Sequence, residues 1–158
     1  MKYKVPGIVP LLNPLMHRLI GLGLPLGPRR APMVLLTVNG RKSGRPRTTA
    51  VNMFDTGEAR YVLGTFGETD WVRNLRAARE AILTLRGRQI PVDAIELPID
   101  EAAPVLRAAL EPFLKTKFGS EALGRFFSVE PGASLSAYLD EATRHPIFAL
   151  RERRMALP

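Results

Sequence analysis

A strongly basic stretch, Gly40-Arg41-Lys42-Ser43-Gly44-Arg45-Pro46-Arg47-Thr48-Thr49, separates two apolar, strand-like runs at residues 33–38 and 50–54. The gap is too short for the crossover that parallel strands need, so the two runs are predicted to pair antiparallel with the basic loop at one end. Residues 47–54 alternate: Arg47, Thr49, Val51 and Met53 fall on one face, Thr48, Ala50, Asn52 and Phe54 on the other. Asp55-Thr56-Gly57-Glu58 is a turn signal, and residues 61–66 return as a third strand. Two more strands, 81–85 and 89–97, flank a tight hairpin at Arg86-Gly87-Arg88. Pro91 lacks an N–H and predicts an edge position or a bulge there. Residues 147–150 read as a closing strand.

Helical patterns occupy the remainder. Asn13-Pro14 reads as an N-cap and first helical position, with Leu12, Leu15, Met16, Leu19 and Ile20 on one stripe and Gly21 and Gly23 at the end. Thr69 or Asp70 caps a short helix carrying Trp71 and Leu75. In that helix Asn74 can tie the helix to a neighbouring loop by its amide. A longer helix begins at Asp100 with Leu106, Leu110, Phe113 and Leu114 on one face, and Pro112 is expected to bend it. Residues 120–127 and 134–144 predict two further helices. With no repeat, linker or low-complexity segment, residues 1–158 read as one domain, in which residues 1–27 form a helical arm packed on the strands.

The formal charge of +8 is placed unevenly. No acidic residue precedes Asp55, whereas Lys2, Lys4, Arg18, Arg29, Arg30, Arg41, Lys42, Arg45 and Arg47 all do. The remaining 14 basic and 15 acidic residues sum to −1, so these nine cations carry the whole excess. Such a field attracts anions: a phosphorylated cofactor, nucleic acid or an acidic membrane. The chain has no cysteine and only His17 and His145, which excludes disulfides, thiolate nucleophiles and any recognisable metal-ligand spacing. Pro6, Pro10 and Pro14 interrupt the N-terminal apolar stretch, so it reads as neither a signal peptide nor a membrane span. A cytoplasmic protein is expected, with peripheral membrane association through the first helix as the alternative. No nucleophile elbow, phosphate loop or dinucleotide fingerprint is present.

Thr37-Val38-Asn39-Gly40-Arg41-Lys42-Ser43-Gly44 with Pro46-Arg47-Thr48-Thr49, and Asp70-Trp71-Val72-Arg73-Asn74-Leu75-Arg76-Ala77 after Thr65-Phe66-Gly67, resemble the two signatures of the deazaflavin-dependent nitroreductase family. The resemblance implies a mostly antiparallel split β-barrel of the FMN-binding type, α+β with peripheral helices, that binds coenzyme F420. It implies that Arg41, Lys42, Ser43 and Arg47 grip the phosphate and polyglutamate tail. Thr48, Thr49, Ala50 and Val51 would run beside the ring, and Thr65 and Trp71 would form the opposite wall. The implied activity is F420H2-dependent reduction of a small apolar electrophile: a quinone, an enone or a nitro compound. Two departures stand out: Ala50 where the family often has proline, and Asn52 near a frequent aromatic. Phe113, Phe118, Phe126 and Phe127 replace a tyrosine cluster and cannot donate protons, which leaves Tyr138 or water as the proton source. Two alternatives stay open: the same fold holding FMN, haem or a fatty acid, and a small basic nucleic-acid-binding protein. Against the latter, aromatics are not interleaved with the basic patch, so no specific nucleic-acid partner is expected. Whether the chain is a monomer or a homodimer is not legible in the sequence.

Overall fold

The computed structural model describes residues 8–154, with side chains from residue 14 onward. Its elements are α1 (Ile8–Gly21), β1 (Met33–Asn39), β2 (Pro46–Asp55), β3 (Arg60–Leu63), α2 (Asp70–Ala78), β4 (Glu80–Leu85), β5 (Arg88–Glu96), α3 (Ile99–Leu114), α4 (Lys117–Leu123), α5 (Leu135–Ala142) and β6 (Ile147–Glu152). The strands close into an antiparallel barrel in the order β1-β2-β3-β6-β5-β4, the split β-barrel architecture anticipated above. Short connections force the hairpins β1–β2, β2–β3 and β4–β5, and β6 closes the ring by pairing with both β3 and β5. At Arg86-Gly87 both residues have positive φ, 50° and 75°, as a two-residue turn matched to the strand twist requires.

Alternation decides what fills the barrel. Val34, Leu36 and Val38 of β1, Val51 and Met53 of β2, Leu83 of β4, Val92 of β5 and Phe148 of β6 converge inside it, and Val72 and Leu75 of α2 plug the end at the basic loop. A second core lies outside the barrel, where Leu63 and Ile147 meet Leu106, Leu110 and Leu114 of α3 and Tyr138 of α5. Burial of these side chains at about 25 cal/mol per Å2 of apolar area is the main stabilising contribution. Among the described residues no helix is long and apolar enough to cross a membrane.

Several elements depart from expectation for local reasons. Helix α1 starts at Ile8 and contains Pro14 in its interior, and Leu15 of the expected stripe is exposed while Ile20 is buried; the side chain of Leu12 lies outside the described residues. Pro91 sits in a strand paired on both sides, not at an edge. Its carbonyl accepts the Arg153 N–H at 2.9 Å one residue beyond the last β5–β6 pair, Val92↔Glu152, so the N–H that proline lacks is missed only at the end of that ladder. Helix α4 runs earlier than predicted because Thr116 caps it, accepting from the Gly119 N–H. The third strand stops at Leu63 instead of 66, because Gly64 turns there: its N–H donates to Pro146 O at 2.8 Å, and a Cβ would meet the Pro146 ring at 3.2 Å.

The turn after β3 is backed by a buried His145. Its Nδ1 lies 3.3 Å from Gly64 O, its Nε2 lies 3.1 Å from Glu141 Oε2, and its ring stacks obliquely on Phe127 at 4.4 Å between centroids. Burial pushes its pKa below the ordinary imidazole value, and the opposing pull of the Gly64 carbonyl and Glu141 does not prevail. The unfolded chain therefore binds a proton at His145 more readily than the folded one. Stability from this group is fully present above about pH 6.5 and is lost as pH falls from there toward the depressed folded pKa. His17 is lowered by burial in the same sense. In a His17→Gln background, urea unfolding should show stability falling from pH 7 to 5, and adding His145→Gln should flatten that dependence. An unchanged slope would mean that His145 is not held neutral by the fold.

Candidate functional site

The basic loop is built by the β1–β2 hairpin and docked on α2. Gly40 N–H donates to Arg45 O and Gly44 N–H to Gly40 O, both at 2.8 Å, which closes the loop on itself. A Cβ at Gly40 would lie 2.8 Å from Ser43 Oγ and displace that hydroxyl, while Gly44 is favoured by its φ of 67°. Ser43 Oγ accepts the Arg45 N–H at 3.3 Å. Arg41 turns inward: its backbone N–H and its Nη1 both donate to Oδ1 of the buried Asn74, at 3.2 and 2.9 Å, and Nη2 pairs with Asp70 at 3.2 Å. The tie between Asn74 and a neighbouring loop is thus present, and Arg41 is its partner.

Lys42, Arg45 and Arg47 point into solvent and form no ion pair among the described residues. The amide N–H groups of Lys42 and Ser43 likewise donate to no described residue. Consecutive free amides thus stand beside three cations that no described carboxylate neutralises, a donor-rich, positively charged surface.

Beside this loop the barrel parts. Strand β2 pairs with β1 along its length but with β3 only through Met53↔Val62, Phe54↔Tyr61 and Asp55↔Arg60. The bonds Met53 N–H to Pro32 O and Gly40 N–H to Arg45 O fix the phase of the ladder: odd residues of β2 direct their backbone groups to β1, even ones away from it. The N–H and C=O of Thr48 and Ala50 therefore face the split without a strand partner. Across it stands the turn from Gly64 to Thr69, which leads into α2. Thr65 there is half-buried, and Thr69 Oγ1 is buried without a hydrogen-bond partner. Trp71 is half-buried against the barrel core, its ring 6.2 Å from that of Phe148. Arg76 clamps the arrangement by bridging Glu68 in the turn and Glu96 at the end of β5, which holds the Glu68 carboxyl below its usual pKa.

Of the residues singled out in the sequence, Lys42, Ser43, Arg47, Thr48, Ala50 and Thr65 thus border one split. Thr48 Oγ1 is engaged with Thr37 Oγ1 at 2.8 Å across the hairpin. Thr49 and Val51 point into the barrel, and Val51 is part of its core. Tyr138 lies elsewhere: it is fully buried in the helical layer, and its hydroxyl donates to Glu111 Oε1 at 3.0 Å. Burial and the Glu111 carboxylate hold that phenol well above its usual pKa, so it is a structural hydrogen bond and not a proton source for the split. Sequence reasoning missed the role of Asn52, whose Nδ2 donates to Ala31 O at 3.0 Å and fastens the segment before β1 onto β2. No local pattern announces a side-chain bond across 21 residues.

The Asn74–Arg41 contact is testable without a ligand. Asn74→Ala removes a buried acceptor shared by two donors, one of them charged, and should lower stability by about 1–3 kcal/mol. Amide exchange in residues 40–45 should accelerate while the β4–β5 ladder stays protected. Unchanged exchange in the loop would show that it is held by its own hydrogen bonds alone.

The family described as F420H(2)-dependent quinone reductase matches residues 18–114, a span that contains the basic loop, the split and α2. No curated protein matches. Solved structures similar to this one include an F420-H2 dependent reductase, 19% identical over 78% of this chain and 95% of that one, with a TM-score of 0.44. A FAD-binding protein from Mesorhizobium loti is 17% identical over 89% of each chain, with a TM-score of 0.47. A protein of unknown function from Agrobacterium tumefaciens is 16% identical over 80% of this chain and 56% of that one; its TM-score of 0.53 reflects a shared fold. The matched span exceeds half of the 158 residues, and the chain belongs to the F420H(2)-dependent quinone reductase family, oxidoreductases that use the deazaflavin coenzyme F420.

Proposed function

We propose that this chain reduces a small apolar electrophile, with a quinone favoured over an enone or a nitro compound, and that coenzyme F420 is held at the split beside the basic loop. The observation that carries the reading is the pairing of two unsatisfied surfaces at one place. The backbone edge at Thr48 and Ala50 offers donors and acceptors to the rim of a flat ring. Lys42, Arg45, Arg47 and the amides of Lys42 and Ser43 offer positive charge to an anionic tail longer than a single phosphate. These groups fit the cofactor, and Arg41 serves it indirectly by fixing the loop to α2.

Bound there in reduced form, the cofactor supplies the hydride. The protein's part is to bind, orient and shield. Thr65 and Trp71 would wall the side opposite β2, and the close packing of Val72 and Leu75 beneath them keeps water out of the barrel end. The loop cations act at the tail, remote from the reacting carbon, so their attraction is equal in ground and transition state. Such uniform binding lowers the cofactor concentration required without altering the chemical barrier.

Fluorescence titration should show oxidised F420 binding more tightly than FMN, whose single phosphate uses less of the loop. Lys42→Ala should weaken F420 by roughly ten- to a hundredfold, the equivalent of one charge-assisted hydrogen bond. That loss should shrink as salt rises, because screening erodes the same attraction in the parent. The single-turnover rate at saturating reduced cofactor should fall far less than the affinity. Equal or tighter FMN binding, or a Lys42→Ala protein with parental affinity and no turnover, would reverse the assignment.

A further inference from the structure

On the outer face of β2, just below the split, lies a cavity of about 350 Å3 that the cofactor reading does not use. Its floor is apolar, made by Phe54 and Tyr61 of the paired strands and by Val105 and Pro112 of α3. Its rim carries Arg29 and Arg30, both exposed and without an ion pair among the described residues. The one carboxylate at the cavity, Asp55, is already spent: Oδ2 lies 3.3 Å from Arg60 Nε and Oδ1 accepts the Gly57 N–H at 2.8 Å. The Tyr61 hydroxyl donates to no described residue.

The rim is held in place. A turn from Pro28 to Ala31 carries the two arginines, closed by Ala31 N–H to Pro28 O at 3.0 Å. Asn52 pins Ala31 O to the middle of β2. Asn52 and Phe54 share the outer face of the strand and stand about 7 Å apart along it, while Met53↔Val62 is the pair at which the split ends. The cavity therefore lies on the paired stretch of β2 beyond the split, at the end away from the basic loop.

From this geometry we infer that the cavity receives the acceptor, and that the acceptor class it selects is a flat quinone bearing an acidic oxygen substituent, carboxylate, sulfonate or enolate: the quinone is the part reduced, and the substituent is the part the arginines hold. The apolar floor accepts the ring, and Arg29 and Arg30 meet the anion with planar donor forks. The cationic rim favours such a molecule over its neutral analogue. The acceptor role rests on the cofactor reading above; the selectivity does not.

The probe is 2-naphthoate, with 2-naphthalenemethanol as its neutral counterpart, titrated into the cofactor-free protein by ligand-observed NMR. Naphthoate should bind more tightly than the alcohol. Arg29→Gln with Arg30→Gln, a surface change that spares the core, should weaken naphthoate about three- to tenfold, the sum of two exposed charge contacts. The alcohol should lose less than twofold. Val105→Trp, which fills the cavity, should weaken both. Equal affinities for the two probes, naphthoate binding indifferent to the arginines, or binding that survives Val105→Trp in a folded protein would each overturn the inference. F420 affinity is measured on the same proteins. If the parent shows the naphthoate selectivity but no F420 binding, the cofactor reading fails and the acceptor role with it. If F420 binds and the selectivity is absent, the cavity assignment alone fails.

Discussion

The shortness of the β2–β3 ladder is the constraint on which the site depends. Six antiparallel strands close into a barrel, and a fully laddered barrel leaves no backbone group free for a ligand. Here β3 ends at Leu63, because Gly64 must pass closely against Pro146 and the chain turns toward α2. The edge of β2 from Thr48 to Ala50 is left unpaired as a result. An open backbone edge is ordinarily an aggregation liability; here it lies inside a split flanked by a cationic loop, and the proposed cofactor site is built on it.

What keeps the split in shape is a small set of polar contacts to an otherwise apolar scaffold. Arg41 and Asn74 join the loop to α2, Arg76 joins α2 to β5 and to the turn after β3, and the Glu141–His145 pair stands behind that turn. The Arg41–Asn74, Arg76–Glu96 and His145–Gly64 contacts span elements distant in sequence, so the loop, the turn and the helix are tied into one rim. The cations divide accordingly: Arg41 is engaged with Asn74 and Asp70, whereas Lys42, Arg45 and Arg47 form no ion pair among the described residues. Asn52 plays the corresponding part lower on β2, where it brings Arg29 and Arg30 to the cavity against α3.

Sequence alone determined the strand and helix content, the hairpin at Arg86-Gly87, the basic loop between β1 and β2, and the family resemblance carried by two short motifs. These are legible because they are local: a period of two, a turn residue, a run of charges. Tertiary structure alone decided that Arg41 folds back onto Asn74, that Val51 is core, and that Tyr138 gives its hydroxyl to Glu111. It also decided that the third strand stops at Leu63, since the contact that stops it is with Pro146, far along the chain. The physical reason is common to all four. Alternation and propensity fix where a side chain points relative to its own strand or helix, but which partner awaits it depends on closing a barrel whose last strand is the last described element.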